Sequence, residues 1–317
     1  MDLMRRMDPE VRECFKDLPE VSLDDIDFAR SLHVAMRTTT KGAVARQATV
    51  VTEDLRVPGV GCQPDVMIRH YCPATQSQPL PCLYWMHGGG YVLGSVEDDD
   101  PVVDQIVAAV NCAVVSVEWR KAPENPFPAP MIDCYVGLKW TYEHAQSLRI
   151  DPSHLAIGGS SSGAGLAAGL ALLARDTSEV PICFQLLVYP MLDDRCLTAS
   201  SYRITDPRVW NRESNLKGWR AYLGDAAGTD AVSPYAAPAR ATCLDGLPPA
   251  YISVGDLDLF LDENIEYARR LLQAGVPTEL HVYAGGVQGF DRFAPAARLS
   301  QRFIRDRHEV LLGVFGI

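Results

Sequence analysis

The feature that most restricts how this chain folds is the stretch His154–Leu173. A short apolar run, Leu155 to Ile157, reads as a buried strand. It breaks at Gly158-Gly159 and restarts as a small-residue helix from about Ser162. At the break stands Gly159-Ser160-Ser161-Ser162-Gly163, a G-x-S-x-G pattern. A strand that turns sharply into a helix holds its central residue in a strained backbone and lifts that side chain clear of the sheet. The flanking glycines let neighbouring chain pass without a Cβ clash. Ser161 is therefore expected to be an exposed nucleophile, with N–H groups of the helix N-terminus offered to negative charge beneath it.

A second glycine feature precedes it. Cys82-Leu-Tyr-Trp-Met86 reads as a buried strand running directly into His87-Gly88-Gly89-Gly90. Three consecutive glycines after a strand leave backbone N–H groups free to point at an oxyanion, the other half of an acyl-transfer site.

The remaining pattern supplies the scaffold. Residues 8–18 and a segment starting near Ser22 read as amphipathic helices ahead of any strand. His33 falls on the second of them and reads as a helix-face residue. Strand-like runs follow at 48–55, 65–71, 111–119, 183–189, 250–254 and 279–283. Helices are expected at 102–110, 131–148, 262–274 and 299–315. The acidic run Glu97-Asp-Asp-Asp100 suits a helix N-terminus, where carboxylates complement the macrodipole. Residues 120–130 hold too many prolines for a helix or a central strand. Strands alternating with helices imply a mostly parallel sheet with helices on both faces, and in such sheets ligands bind at strand carboxyl ends. Ser161, the glycines 88–90 and the residues after Val254 all lie at such ends. The expected division is 1–45 as N-terminal cap helices, 46–190 and 225–317 as an α/β core, and 191–224 as a cap insertion.

Charge and cysteine usage narrow the class. A net charge of -11 argues against nucleic acid as a partner. Nine scattered cysteines without a C-x-x-C read as reduced thiols of a cytoplasmic protein, not a disulfide framework. No signal-like or membrane-spanning apolar run is apparent, and no metal or cofactor motif.

Taken together, the motifs from about residue 80 to 295 resemble the hormone-sensitive-lipase group of α/β-hydrolase carboxylesterases. The resemblance rests on His87–Gly90, Arg120-Lys-Ala-Pro-Glu124 with Pro126-Phe-Pro128, Gly159–Gly163, Asp258-Leu-Phe-Leu-Asp262-Glu263, Ala274-Gly-Val276 and Tyr283-Ala-Gly-Gly-Val-Gln288-Gly-Phe290. It implies an α/β-hydrolase fold with a helical cap, no cofactor, a small ester as substrate, and dimerisation through the edge of the last strand. It further implies that Ser161 attacks an ester carbonyl and that the N–H groups of Gly88, Gly89 or Gly90, with that of Ser162, hold the oxyanion. Asp258 would orient a histidine, with Asp256 the near alternative. The elbow departs from the family's Gly-Asp-Ser-Ala-Gly, since Ser160 and Ser162 replace the Asp and the Ala.

The larger departure is at 288. The family motif Tyr-x-Gly-x-x-His-Gly-Phe carries the general base, and this chain has Gln288 there. An amide has no basic lone pair near neutral pH and cannot take the serine proton. The chain thus reads as an esterase scaffold for short-chain or aryl esters impaired at its base, in the manner of a mutant that traps bound ester. The alternative is a small-molecule receptor on the same fold. Rescue by another histidine is not expected: His70, His144, His154, His281 and His308 read as packing or surface residues, and His87 as part of the glycine loop.

Overall fold

The computed structural model describes residues 3–40 and 49–317, and the side chains of 37–40 fall outside that description. Eight strands form one sheet: β1 (Val50–Val57), β2 (Val66–Pro73), β3 (Leu80–Met86), β4 (Ala113–Glu118), β5 (Ile150–Ser160), β6 (Phe184–Val188), β7 (Ala250–Gly255) and β8 (Thr278–Tyr283). Their order is β1-β2-β4-β3-β5-β6-β7-β8. β1 and β2 pair antiparallel, as do β2 and β4, and all the other neighbours are parallel. The parallel strands read as continuous apolar runs because helices cover both faces. In β3, β6 and β7 almost every residue is buried.

This order has a switch point beside β3. The chain leaves β3 for β4 on one side and returns to β5 on the other. The carboxyl ends of β3 and β5 therefore lie next to each other, with Met86 in register with Gly159. The connections leaving these two ends diverge, and a crevice opens between them.

Several expected boundaries move. Asp8 caps helix Pro9–Phe15 by accepting from the N–H groups of Glu10 and Val11. The next helix begins at Ile26, not Ser22, because Asp25 and not Ser22 accepts the Phe28 N–H. Ala48, expected to start the first strand, lies outside the described residues. The acidic run is the first turn of helix Val96–Val110 itself, with Asp98 closing a capping box on Ser95. The single helix expected over 131–148 is two, Ala129–Glu143 and Ala145–Leu148, joined at His144. After β6 come helices Ala199–Arg203 and Arg212–Leu223. All nine cysteines are free thiols. No helix among the described residues is long and apolar enough to cross a membrane.

The elbow depends on close backbone packing. A Cβ on Gly163 would overlap the backbone carbonyl oxygens of Met86, the last residue of β3, and of His87 just after it, and a main chain anchored there yields little. Gly163→Ala is therefore expected to destabilise the fold by about 3 kcal/mol or more. Urea denaturation checks this. A midpoint within a few tenths molar of the parent would show that the elbow tolerates a methyl group.

Candidate active site

Ser161 occupies the junction between β5 and helix Ser162–Thr177 at φ 55, ψ -120. A non-glycine residue at positive φ costs of order 1–3 kcal/mol and persists where its surroundings over-determine it. Here they do. The Ser161 N–H donates to the Val188 carbonyl at 2.9 Å, and its own carbonyl accepts from Gly165 at 3.0 Å and Met191 at 3.1 Å. The side chain is left with 8 % exposure, on the wall of a cavity of about 310 Å³.

The glycine loop lies against it. A Cβ on Gly88 would stand 3.4 Å from that of Ser161 and 2.9 Å from the Ser160 carbonyl, so the loop packs directly on the elbow. Gly89 and Gly90 adopt φ of 128 and 58, which a side chain would resist. Among the described residues, none of the amide N–H groups of Gly88, Gly89 and Gly90 has a protein acceptor. His87 is fully buried, stacked on Trp119 at 4.5 Å, with Nδ1 2.8 Å from the Gly88 carbonyl. Burial lowers its pKa, so it braces the loop as a neutral ring.

Asp258 and Gln288 come from the loops after β7 and β8, and backbone bonds tie those loops together. Leu257 N–H donates to the Gly286 carbonyl and Asp256 N–H to that of Tyr283, both at 3.0 Å. Gln288 lines the cavity with Ser161, whereas Asp258 is 1 % exposed and lies behind the wall. Asp258 Oδ1 accepts from the Phe260 N–H at 2.9 Å. Among the described residues its Oδ2 has no hydrogen-bond partner, and neither has Gln288 Oε1. Burial raises the Asp258 pKa to about 7, against the pull of the Phe260 and Leu259 N–H groups. Asp256 is engaged elsewhere, bound to Arg6 at 2.7 Å and to the Gly285 N–H at 2.6 Å.

His33, Arg292 and Trp210 are among the cavity residues that the sequence reading did not place at the site. His33, expected on a plain helix face, is the histidine that lines the cavity, with Nε2 3.0 Å from Asp98 Oδ2. Amphipathic spacing placed its helix but not the side of the fold on which it lands. Arg292, four residues past Gln288, binds Asp99 at 2.7 Å and donates to Ser160 Oγ at 3.0 Å. Its neighbour Ser160 in the elbow was the available signal. Trp210 reaches the cavity from the segment before helix Arg212–Leu223. The other histidines lie apart from it. His70 and His308 are lowered by burial, the latter to about 3. His281 pairs with Glu279, His154 with Asp151, and His144 with the Trp140 carbonyl.

Comparisons with known proteins bear on the fold and the family. A family defined by the alpha/beta hydrolase fold matches residues 83–292. "Carboxylesterase NlhH" of Mycobacterium tuberculosis is 35 % identical over 238 residues, spanning 74 % of either chain. Solved structures match nearly end to end. A "Bacterial Heroin Esterase" superimposes with a TM-score of 0.95 at 40 % identity, over 98 % of this chain and 99 % of that one. Esterase LipW from Mycobacterium marinum does so with a TM-score of 0.90 at 35 % identity, over 99 % and 98 %. The chain thus belongs to the α/β-hydrolase family, in its hormone-sensitive-lipase-like carboxylesterase type.

Proposed function

We propose that this chain is a serine carboxylesterase scaffold for short-chain or aryl esters whose turnover is strongly weakened by Gln288. The observation that carries the reading is the pair of unpartnered oxygens, Asp258 Oδ2 and Gln288 Oε1. A histidine at 288 would donate one ring N–H to the carboxylate and turn its other nitrogen to Ser161. Glutamine cannot carry the proton between them.

In this reading Ser161 Oγ attacks the ester carbonyl carbon. The negative charge that builds on the carbonyl oxygen is taken by N–H groups of Gly88, Gly89 or Gly90 and of Ser162. The hydroxyl proton must reach the leaving alkoxide, and the missing carrier is the group at 288. Asp258 orients that group. The apolar wall, with Trp210 and Phe293 among its residues, suits an uncharged ester. The arginines on it are paired, Arg292 with Asp99 and Arg208 with Asp206, and Asp98 is hydrogen-bonded to His33. The helices within residues 3–40 and 191–224 serve as its cap, and positions 41–45 of the expected cap lie outside the described residues. The protein works in the cytoplasm, and a homodimer forms along β8, which ends the sheet and exposes Val282.

Gln288 itself also favours a second reading, a non-catalytic binder of one small molecule under the same cap. Assaying Gln288→His with nitrophenyl acetate, beside the same variant carrying Ser161→Ala, decides between them. Serine-dependent turnover in the first supports the esterase. No gain over the parent, together with tight binding of one ligand by the parent, supports the binder.

A further inference from the structure

We infer that Trp210 sets the longest acyl chain this site accepts, an inference that rests on the ester reading above. The indole lies where a side chain of Gly90 would be. A Cβ built on that glycine would overlap the benzo edge of the ring. The third glycine of the loop is thus matched to a tryptophan supplied by a different part of the chain.

The ring is held from three sides. Its Nε1 donates to Asn215 Oδ1 at 3.0 Å, and Asn215 is fully buried. Gly218, one turn along the same helix, leaves room behind it: a Cβ there would come within 3.0 Å of the indole and 2.8 Å of the Gly90 carbonyl. A wide, flat side chain fixed this way cannot swing aside as a leucine or methionine would.

Its position picks out the acyl arm. The group at 288 must deliver a proton to the leaving alcohol, so the alcohol lies on the Gln288 side of the carbonyl. Trp210 stands against the oxyanion loop, and the arm it confronts is the other one. With about 310 Å³ available, near the lower end for ligand cavities, a blocking indole decides how many methylenes fit. Each methylene admitted or excluded by such a pocket changes selectivity roughly tenfold or more.

The test uses Gln288→His as parent and nitrophenyl esters from acetate to decanoate. Trp210→Ala should raise the ratio of kcat/KM for octanoate over acetate at least tenfold, with Trp210→Phe in between. A structural role alone would lower all esters alike and leave the ratio unmoved. A ratio within twofold of the parent, in any folded variant of Trp210, overturns the inference. Trp210→Leu gives the same reading if the alanine variant does not fold. If Gln288→His is inactive on acetate, the esterase reading has failed on its own. Acyl-length selection is then read as binding of 2-hexanone against 2-decanone: a tightening of decanone alone in the Trp210 variants supports it, and equal changes refute it.

Discussion

Replacing Gln288 by histidine is expected to raise hydrolysis of a short nitrophenyl ester by about 10⁴–10⁶-fold. The magnitude follows from what the base supplies. In a serine hydrolase outside this family, loss of that histidine alone costs about a millionfold in kcat, while oxyanion donors and binding retain roughly 10³–10⁴ over water. In the proposed reading every part of the site except the base is in place. Ser161 is strained onto the cavity wall, Gly88 packs against it, and Asp258 Oδ2 awaits a donor. The added imidazole lands on a loop that backbone bonds already tie to the Asp258 turn. Initial rates with and without Ser161→Ala measure the effect, and a gain below tenfold would mean that the slot does not hold an imidazole in a working orientation. In the histidine background, Asp258→Asn should then remove about 10³–10⁴ of the gain, because the ring loses the acceptor that selects its tautomer.

In the Gln288 chain the same Asp258→Asn change should do the opposite of harm. Burial raises the Asp258 pKa from 3.8 to about 7. The folded state therefore binds a proton more tightly than the unfolded state does. Stability falls as pH rises from about 4 to 7, and above 7 the full cost of an unpaired buried carboxylate is present. At 1.36 kcal/mol per unit, that cost is about 4 kcal/mol. Asparagine is neutral and nearly the same shape. It should stabilise the fold by about 2–4 kcal/mol at pH 8 and by less than about 1 kcal/mol near pH 4, where Asp258 is itself protonated. Urea melts at the two pH values check this. A variant no more stable than the parent at pH 8 would mean that the carboxylate is compensated by a group other than the Phe260 and Leu259 N–H donors.

The contrast between the two backgrounds has one cause. A buried carboxylate is a liability without a donor and an asset with one. In the proposed reading position 288 switches Asp258 between these conditions, so activity and stability are expected to change together. Histidine there should lower the Asp258 pKa and flatten the pH dependence of folding.

Much of this site was legible in the linear order of residues because its parts are local. An elbow needs small residues at fixed offsets around one serine, and an oxyanion loop needs consecutive glycines after a strand. Each announces itself within five residues. Asp258 and Gln288 were legible as the ends of two motifs. Their convergence follows from β7 and β8 being parallel neighbours, which alternation of strands and helices already implies.

His33, Arg292 and Trp210 belong to the other kind of residue. Each sits in a segment whose local pattern says helix or loop and nothing about what it faces. His33 reaches the cavity because the helix Ile26–Thr40 lies over the carboxyl ends of the strands, and Trp210 because Gly90 and Gly218 leave room for its ring. The alternation of strands and helices, the elbow pattern and the glutamine at 288 are written in short-range sterics and residue chemistry, which act within a few residues, whereas the strand order is not. The shape of the pocket, the ion pairs on its wall and the burial of Asp258 behind it arise from contacts between segments far apart in the chain, and those exist once the sheet has brought them together.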